Sequence, residues 1–365
     1  MTQSTKQAAP IETQAVIIGA GPVALFQAFQ LGLQEVQTHL VEALPHPGGQ
    51  CAELYPTKPI YDIPGLPVVS GQELTERLLT QLKPFSPPMH LGQQVQSLAR
   101  QPDGRWLLTS QTGQQWLAPA VVVAAGVGAF VPRKPAIEGL EAFEGTQVLY
   151  HGLPAEMGVY DQIVIMGGDD AAVSTALQVV AHRLSQAKAD QVPSAVQLLH
   201  RTAKLTIESP ELQAAWQQAL DQGQAELVVG QPVGWHAHPK NKSQMYGLDV
   251  VTADDATIKL GCDVLLPRLG LSPKLGPIAQ WGLAMERKLL PVDTATFQTS
   301  EPGIYAVGDI NTYPGKRKLI VSGFHEATLA AFAIAAQLRP GERQLLQYTT
   351  TSPRLHELLG VKPSS

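Results

Sequence analysis

Two glycines and a glutamate carry the first chemical signal in this chain of 365 residues. Gly19, Gly21 and Ala24 fit the spacing G-x-G-x-x-G/A, and Glu42 follows Gly21 by 21 residues. Glycine at the first two positions lets backbone approach a pyrophosphate, and a helix that starts there turns its positive end toward the phosphate charge. A carboxylate about 20 residues further on can accept from a ribose 2′-hydroxyl. It also disfavours a 2′-phosphate, so this site should take FAD or NAD rather than NADP. The elements needed to hold these residues are visible around them. "AVII" (15–18) reads as a buried strand, "LFQAFQL" (25–31) as an apolar helix, and "THLVEA" (38–43) as a second strand that ends at Glu42.

A second strand–glycine–helix unit follows about 150 residues later, "IVIMGGDDAAV" (163–173). Gly167 and Gly168 begin the turn, but Asp169 stands where the pattern wants the glycine that lets backbone approach phosphate. A carboxylate about 5 Å from a pyrophosphate charge costs about 3 kcal/mol at an effective dielectric near 20. That is roughly a hundredfold in affinity. The turn is therefore a competent, a weakened or a lost nucleotide site.

Between these units runs "PGGQCAELYPTKPIYDIPG" (47–65), irregular, with four prolines and two tyrosines. Long loops of this kind are usually functional. Together with "VVVAAGVGAFVPRKP" (121–135) and "GIYAVGD" (303–309), it resembles the thioredoxin-reductase-like ferredoxin/flavodoxin–NADP(+) reductases. The likeness runs from Val16 to about Ser352, dense in the first 140 and last 80 residues. It implies FAD along the first fingerprint. Glu42 would hold the adenosine ribose, Gln50 would reach the ribityl or flavin region, and Tyr55 would stack on one flavin face. Val95 and Phe130 would line the adenine and flavin pockets, and Asp309 would bond a ribityl hydroxyl. A long helix beginning near Gly323 would point its N-terminus at the flavin. Tyr348 would cover the second flavin face and Thr350 would bond near the ring edge, from a tail that can reach the partner subunit of a homodimer. Gly167, Gly168, Arg201 and Lys204 would hold NADPH, where the family pattern has three arginines and this chain has "HRTAKLT" (200–206).

The resemblance implies an α/β fold of two Rossmann-like nucleotide-binding domains of the pyridine-nucleotide-disulfide oxidoreductase type. The FAD-binding domain (12–130 and 288–338) would be split by an inserted NAD(P)H-binding-like domain (131–287), with a tail (339–365) covering the flavin. It also implies an enzyme that moves electrons between NADPH and a one-electron carrier, ferredoxin or flavodoxin-like, with no acid–base residue required. Two other readings stay open: a flavoprotein of the same fold with a weakened or lost nicotinamide site, and a flavin redox sensor acting through a partner. Disulfide reduction through a C-x-x-C pair is excluded, because "VLYHGLPAEMGVYDQ" (148–162) has no cysteine. The two cysteines, Cys51 and Cys262, make no disulfide framework, which points to a reducing cytoplasm. Cys51 reads as a buried small apolar residue. A net charge of −5 gives no reason to expect nucleic acid, and the apolar runs are too short for a membrane span. No metal is expected: His236 and His238, two apart, have no Asp, Glu or Cys companion in sequence and read as a surface loop. Lys316, Arg317 and Lys318 read either as a solvated loop or as a face for an acidic carrier.

Overall fold

The structure is a computed structural model that describes residues 9–154, 157, 160–187, 194–343 and 346–361, the side chains at 129–131 and 273 excepted. The chain divides into two compact units, residues 1–130 with 273–365, and residues 131–272.

The first unit opens on β1 (Ala15–Ile18), whose four residues are all buried. Alternate side chains serve two cores, because successive residues of a strand point to opposite faces. Ala15 and Ile17 join a core with Leu25, Leu31 and Leu74, while Val16 and Ile18 join one with Leu108 and Trp116. Then come α1 (Pro22–Leu33), β2 (Thr38–Val41), the short α2 (Gly49–Glu53) and α3 (Gly71–Leu82). α3 starts at Ser70, whose hydroxyl accepts from the Glu73 N–H at 3.2 Å, a helix N-cap. β3 (Met89–His90) pairs in parallel with β2. Next follow β4 (Val95–Arg100), β5 (Trp106–Ser110) and β6 (Gln115–Ala118), an antiparallel run. β7 (Ala120–Val123), again wholly buried, pairs in parallel with β1. Burial on both faces is what a parallel sheet between two layers requires.

The second unit repeats the plan. β8 (Ile163–Met166) leads into α4 (Asp170–Gln186), then β9 (Val196–His200), α5 (Pro210–Asp221) and β10 (Ala225–Val229). β11 (Gln231–His238), β12 (Asn241–Val251) and β13 (Thr257–Gly261) form an antiparallel sheet. β14 (Val264–Pro267) completes a parallel sheet of order β10-β9-β8-β14. His236 and His238 therefore lie on a strand, not in the surface loop expected from sequence. His236 Nε2 is 2.6 Å from Asp249 Oδ1, a partner 13 residues away that only the β11–β12 pairing brings in. No group of three or more His, Cys, Asp or Glu suited to a metal occurs among the described residues.

The chain re-enters the first unit at 273, not at the boundary of 287/288 expected from sequence. The reason is packing: Leu275, Ile278, Trp281, Leu283 and Met285 all lie against the Val16–Trp116 core, and Trp281 Nε1 donates to the Gln96 carbonyl at 3.1 Å. β15 (Ile304–Ala306) then adds beside β7, giving a parallel sheet of order β15-β7-β1-β2-β3. α6 (Ile320–Leu338) packs on α1. It begins three residues before Gly323, and Gly323 has another purpose: a Cβ there would sit 2.4 Å from Val23 Cγ2. α7 (Pro353–Leu358) closes the described chain. No helix among the described residues is long and apolar enough to cross a membrane.

Candidate functional site

A cavity of about 260 Å³ opens in the first unit where the C-terminal ends of β1, β2 and β7 meet the first turns of α1 and α6. Ligands bind at this end of parallel sheets because the loops and helix N-termini converge there. Gly19 and Gly21 line it, and they are glycines for different reasons. Gly19 has φ +114°, and a Cβ on it would lie 2.5 Å from the Ala124 carbonyl oxygen, so the chain itself requires glycine. Gly21 has φ −72°, and a Cβ would meet nothing closer than Gly49 Cα at 3.8 Å. The chain does not need a glycine there; a ligand approaching the turn would. Gly21 is also the N-cap of α1, with no side-chain cap and no acidic residue in the first turn. The free N–H groups of that turn are left for an anion.

Glu42 enters from the end of β2 and is 8% exposed. Its Oε2 accepts from the Ala20 N–H at 2.7 Å and its Oε1 from the Leu44 N–H at 2.9 Å. Burial pushes its pKa up, and these backbone donors work in the opposite direction. The carboxylate is thus held in place beside the β1–α1 turn with lone pairs to spare for hydroxyls. Gln50, on α2, donates through Nε2 to Asp309 Oδ2 at 3.1 Å, closing a gap of 259 residues in sequence. Tyr55 lines the same cavity, its hydroxyl 3.7 Å from Cys51 Sγ. Burial pushes both the tyrosine and the thiol above their ordinary ranges. A buried, protonated thiol is unreactive, which fits the packing role expected of Cys51. Val95, 4% exposed, also lines the cavity. The Phe130 side chain lies outside the described residues. α6 has no side-chain cap either, and its first residue, Ile320, borders the cavity.

These residues fit FAD. Two uncapped helix ends, a turn kept bare of side chains, two carboxylates for hydroxyls and two aromatic rings, Tyr55 and Trp281, surround one space. Sequence reading missed two parts of the wall. One is the Leu275–Trp281 segment, whose apolar spacing was legible but not its unit. The other is Lys318, the one cationic side chain that lines the cavity among the described residues. It misread a third residue: Lys316 does not present itself to a carrier. Its side chain is 7% exposed and forms an ion pair with Glu326 on α6, whose side chain is 0% exposed.

The tail does not reach the cavity of its own chain. Tyr348 is 62% exposed and lies in a groove with Gln30, Leu33, Gln34 and Phe332, along α1 and α6, and it does not line the cavity that holds Tyr55. Thr350, also exposed, does not line it either. Arg354 holds the tail there through a bond to Glu35 Oε1 at 3.2 Å and a second to its Oε2. Within one chain the tail is fixed to the back of the two helices instead of over the cavity.

In the second unit, Gly167 and Gly168 form the β8–α4 turn. A Cβ on Gly167 would lie 2.4 Å from the Arg268 carbonyl oxygen, and one on Gly168 would lie 2.4 Å from His200 Nε2. Asp169 is not aimed out of this turn. It is the N-cap of α4, and its Oδ1 accepts from the Ala172 N–H at 3.1 Å. A carboxylate facing a pyrophosphate, as the sequence suggested, is replaced by one turned back onto its own helix, because uncapped N–H groups attract the nearest acceptor. Asp170 Oδ1 accepts from the Glu208 N–H at 2.7 Å, and the Gly168 carbonyl accepts from the Thr206 N–H at 2.7 Å. These two bonds staple the loop after β9 to the turn. Arg201 and Lys204 are exposed on that loop, whose path is further set by His200 Nδ1 against the Thr202 carbonyl at 2.9 Å.

The chain matches the model of the pyridine nucleotide-disulphide oxidoreductase family over residues 13–330. It is 53% identical to the ferredoxin–NADP reductase of Verminephrobacter eiseniae, over 97% of this chain and 98% of that protein. It is 51% identical to the ferredoxin–NADP reductase of Acidovorax sp. strain JS42, over the full length of both. Among solved structures, thioredoxin reductase of Lactococcus lactis superposes with a TM-score of 0.55 at 20% identity, over 89% of this chain and 99% of that one. Bacillithiol disulfide reductase of Staphylococcus aureus gives 0.57 at 13% identity, over 90% and 100%. Both structural likenesses concern the fold.

Proposed function

Since the chain belongs to the pyridine nucleotide-disulphide oxidoreductase family, we propose that it is an FAD-dependent oxidoreductase that moves electrons between NADPH and a ferredoxin- or flavodoxin-like carrier. The observation that supports this most is the single cavity joining Gly21, Glu42, Gln50, Tyr55, Val95 and Asp309. The relatives named ferredoxin–NADP reductase support the choice of substrate and carrier. With two cysteines, both buried and unpaired, the dithiol relay of a disulfide reductase has no residues to run on.

FAD, when bound, supplies the exchange between two-electron and one-electron chemistry. The chain supplies position and electrostatics. Gly21 keeps the first turn of α1 open to the pyrophosphate, and Glu42 accepts from the adenosine ribose. Gln50 and Asp309, bonded to each other, present one polar edge to the ribityl hydroxyls. Tyr55 offers a flat apolar face for stacking. Lys318 and the first turn of α6 place positive potential beside the ring, which favours added negative charge. NADPH belongs to the second unit, with Gly167 and Gly168 at its pyrophosphate and Arg201 and Lys204 at its 2′-phosphate. The working form is a cytoplasmic homodimer in which Tyr348 and Thr350 of one copy serve the flavin of the other.

The test is an anaerobic titration of the purified protein. It should be yellow, release FAD on denaturation, bleach with NADPH, and regain colour on adding oxidised ferredoxin or flavodoxin. Colourless protein that takes up no FAD, or a bound flavin that NADPH leaves unbleached, overturns the reading.

A further inference from the structure

Behind Asp309 lies an ion pair that none of the cofactor-binding roles uses. Glu326 is fully buried, and its two oxygens gather four donors. Oε2 accepts from the Gly308 N–H at 2.7 Å and from Asn311 Nδ2 at 2.9 Å. Oε1 accepts from the Tyr313 hydroxyl at 2.9 Å and from Lys316 Nζ. Lys316 Nζ also donates to the Gly308 carbonyl at 2.9 Å. Both peptide groups of Gly308 are thereby held, the N–H by the anion and the carbonyl by the cation. Gly308 has φ +79°, a conformation few other residues adopt, so the chain turns sharply just before Asp309.

A buried ion pair is a poor source of stability, since desolvation offsets much of the attraction. Where one is kept, a specific geometry is the reason to look for. Here the geometry is the direction of the Gly308–Asp309 turn. We propose that Lys316 and Glu326 are positioning residues, a buried clamp that sets Asp309 in the cavity for FAD. The clamp rests on the FAD reading above. Lys316 and Lys318 then divide the work of one basic run: the first is withdrawn into the fold to fix the turn, and the second borders the cavity.

The test is a coupling experiment on FAD binding to apoprotein, read by quenching of FAD fluorescence and by visible flavin circular dichroism. Lys316→Met alone strands a buried carboxylate, so the double variant Lys316→Met/Glu326→Gln, which removes both charges, is measured beside it. Each is made in the wild-type background and with Asp309→Asn. In the wild-type background the double variant should weaken FAD about tenfold, the loss of one well-placed hydrogen-bonding group, and alter the dichroism. With Asp309→Asn already present, the same change should weaken FAD by less than about twofold, because interacting residues are not additive. Equal weakening in both backgrounds, or no weakening in either, overturns the clamp while leaving FAD binding intact. Wild-type apoprotein that binds no FAD overturns the FAD reading itself.

Discussion

Gly21 and Asp169 occupy the turns of the two units, and each shows what a single residue asks of its surroundings. Gly21 has an ordinary φ and space for a methyl group against its own chain, so its glycine serves the cavity. Gly21→Ala should leave the apoprotein's melting temperature within about 1 °C, a surface-like effect, while weakening FAD. Gly21→Glu should give colourless protein, because it adds bulk and like charge at the pyrophosphate. Stoichiometric FAD retained by Gly21→Glu would remove the phosphate from this turn. Asp169 behaves differently. Asp169→Ala should destabilise the second unit by about 1 kcal/mol through the lost cap, and Asp169→Gly by only a few tenths. Asp169→Gly also frees the Ala172 N–H, and should lower KM for NADPH and NADH alike by less than about tenfold, the scale of one hydrogen bond. Thr202→Arg should help NADPH alone, since only NADPH carries the 2′-phosphate. A hundredfold gain from Asp169→Gly in steady-state kinetics would mean that the carboxylate does face the ligand.

Among the elements, β2 and β3 carry a feature that pH can test. His39 and His90 lie side by side on these strands, with Nδ1 of one 2.9 Å from Nε2 of the other, and His90 meets Trp116 edge-on. Only one of the facing nitrogens can carry a proton. Burial pushes both imidazoles below the ordinary range, and the neighbouring His90 adds to the effect on His39. A histidine depressed in the folded state contributes stability above its unfolded pKa, near 6.5, and loses it as pH falls below that. The melting temperature should therefore drop between pH 7 and 5, and His39→Leu/His90→Phe should flatten the drop. A wild-type curve flat across that window would show that the pair is not the site of acid sensitivity. β1 and β8 were legible, because an apolar run ending in Gly19 or Gly167 has one natural structure. The His pairing was not, since β2 and β3 are joined by 47 intervening residues, from Glu42 to Pro88. Lys316 was misread for a similar reason. A basic run looks solvated until α6 brings Glu326 beneath it. The boundary at 273 escaped notice because a segment's unit is set by what it packs on, not by its own pattern.

At the scale of the whole molecule, the tail poses the remaining question. Tyr348 and Leu346, two residues apart, are 62% and 61% exposed. Arg354, bonded to Glu35 and Glu357, and the Ser352 cap of α7 keep the segment fixed. Tyr348 cannot stack over the cavity of its own chain without giving up that groove. If it covers a flavin, the flavin belongs to a second copy. Coverage should then depend on protein concentration. On dilution below the dimer dissociation constant, flavin fluorescence of the wild-type holoprotein should rise as the second ring face is uncovered. Tyr348→Ser should fluoresce more strongly at every concentration and change little on dilution. Arg354→Ala, which releases the tail from Glu35, should fall between the two. Sedimentation over the same range checks that the fluorescence follows dissociation. Wild-type fluorescence that stays constant while the dimer separates, or a chain that is monomeric throughout, would remove Tyr348 from the flavin and leave Tyr55 and Trp281 as the aromatic residues that line the cavity among the described residues.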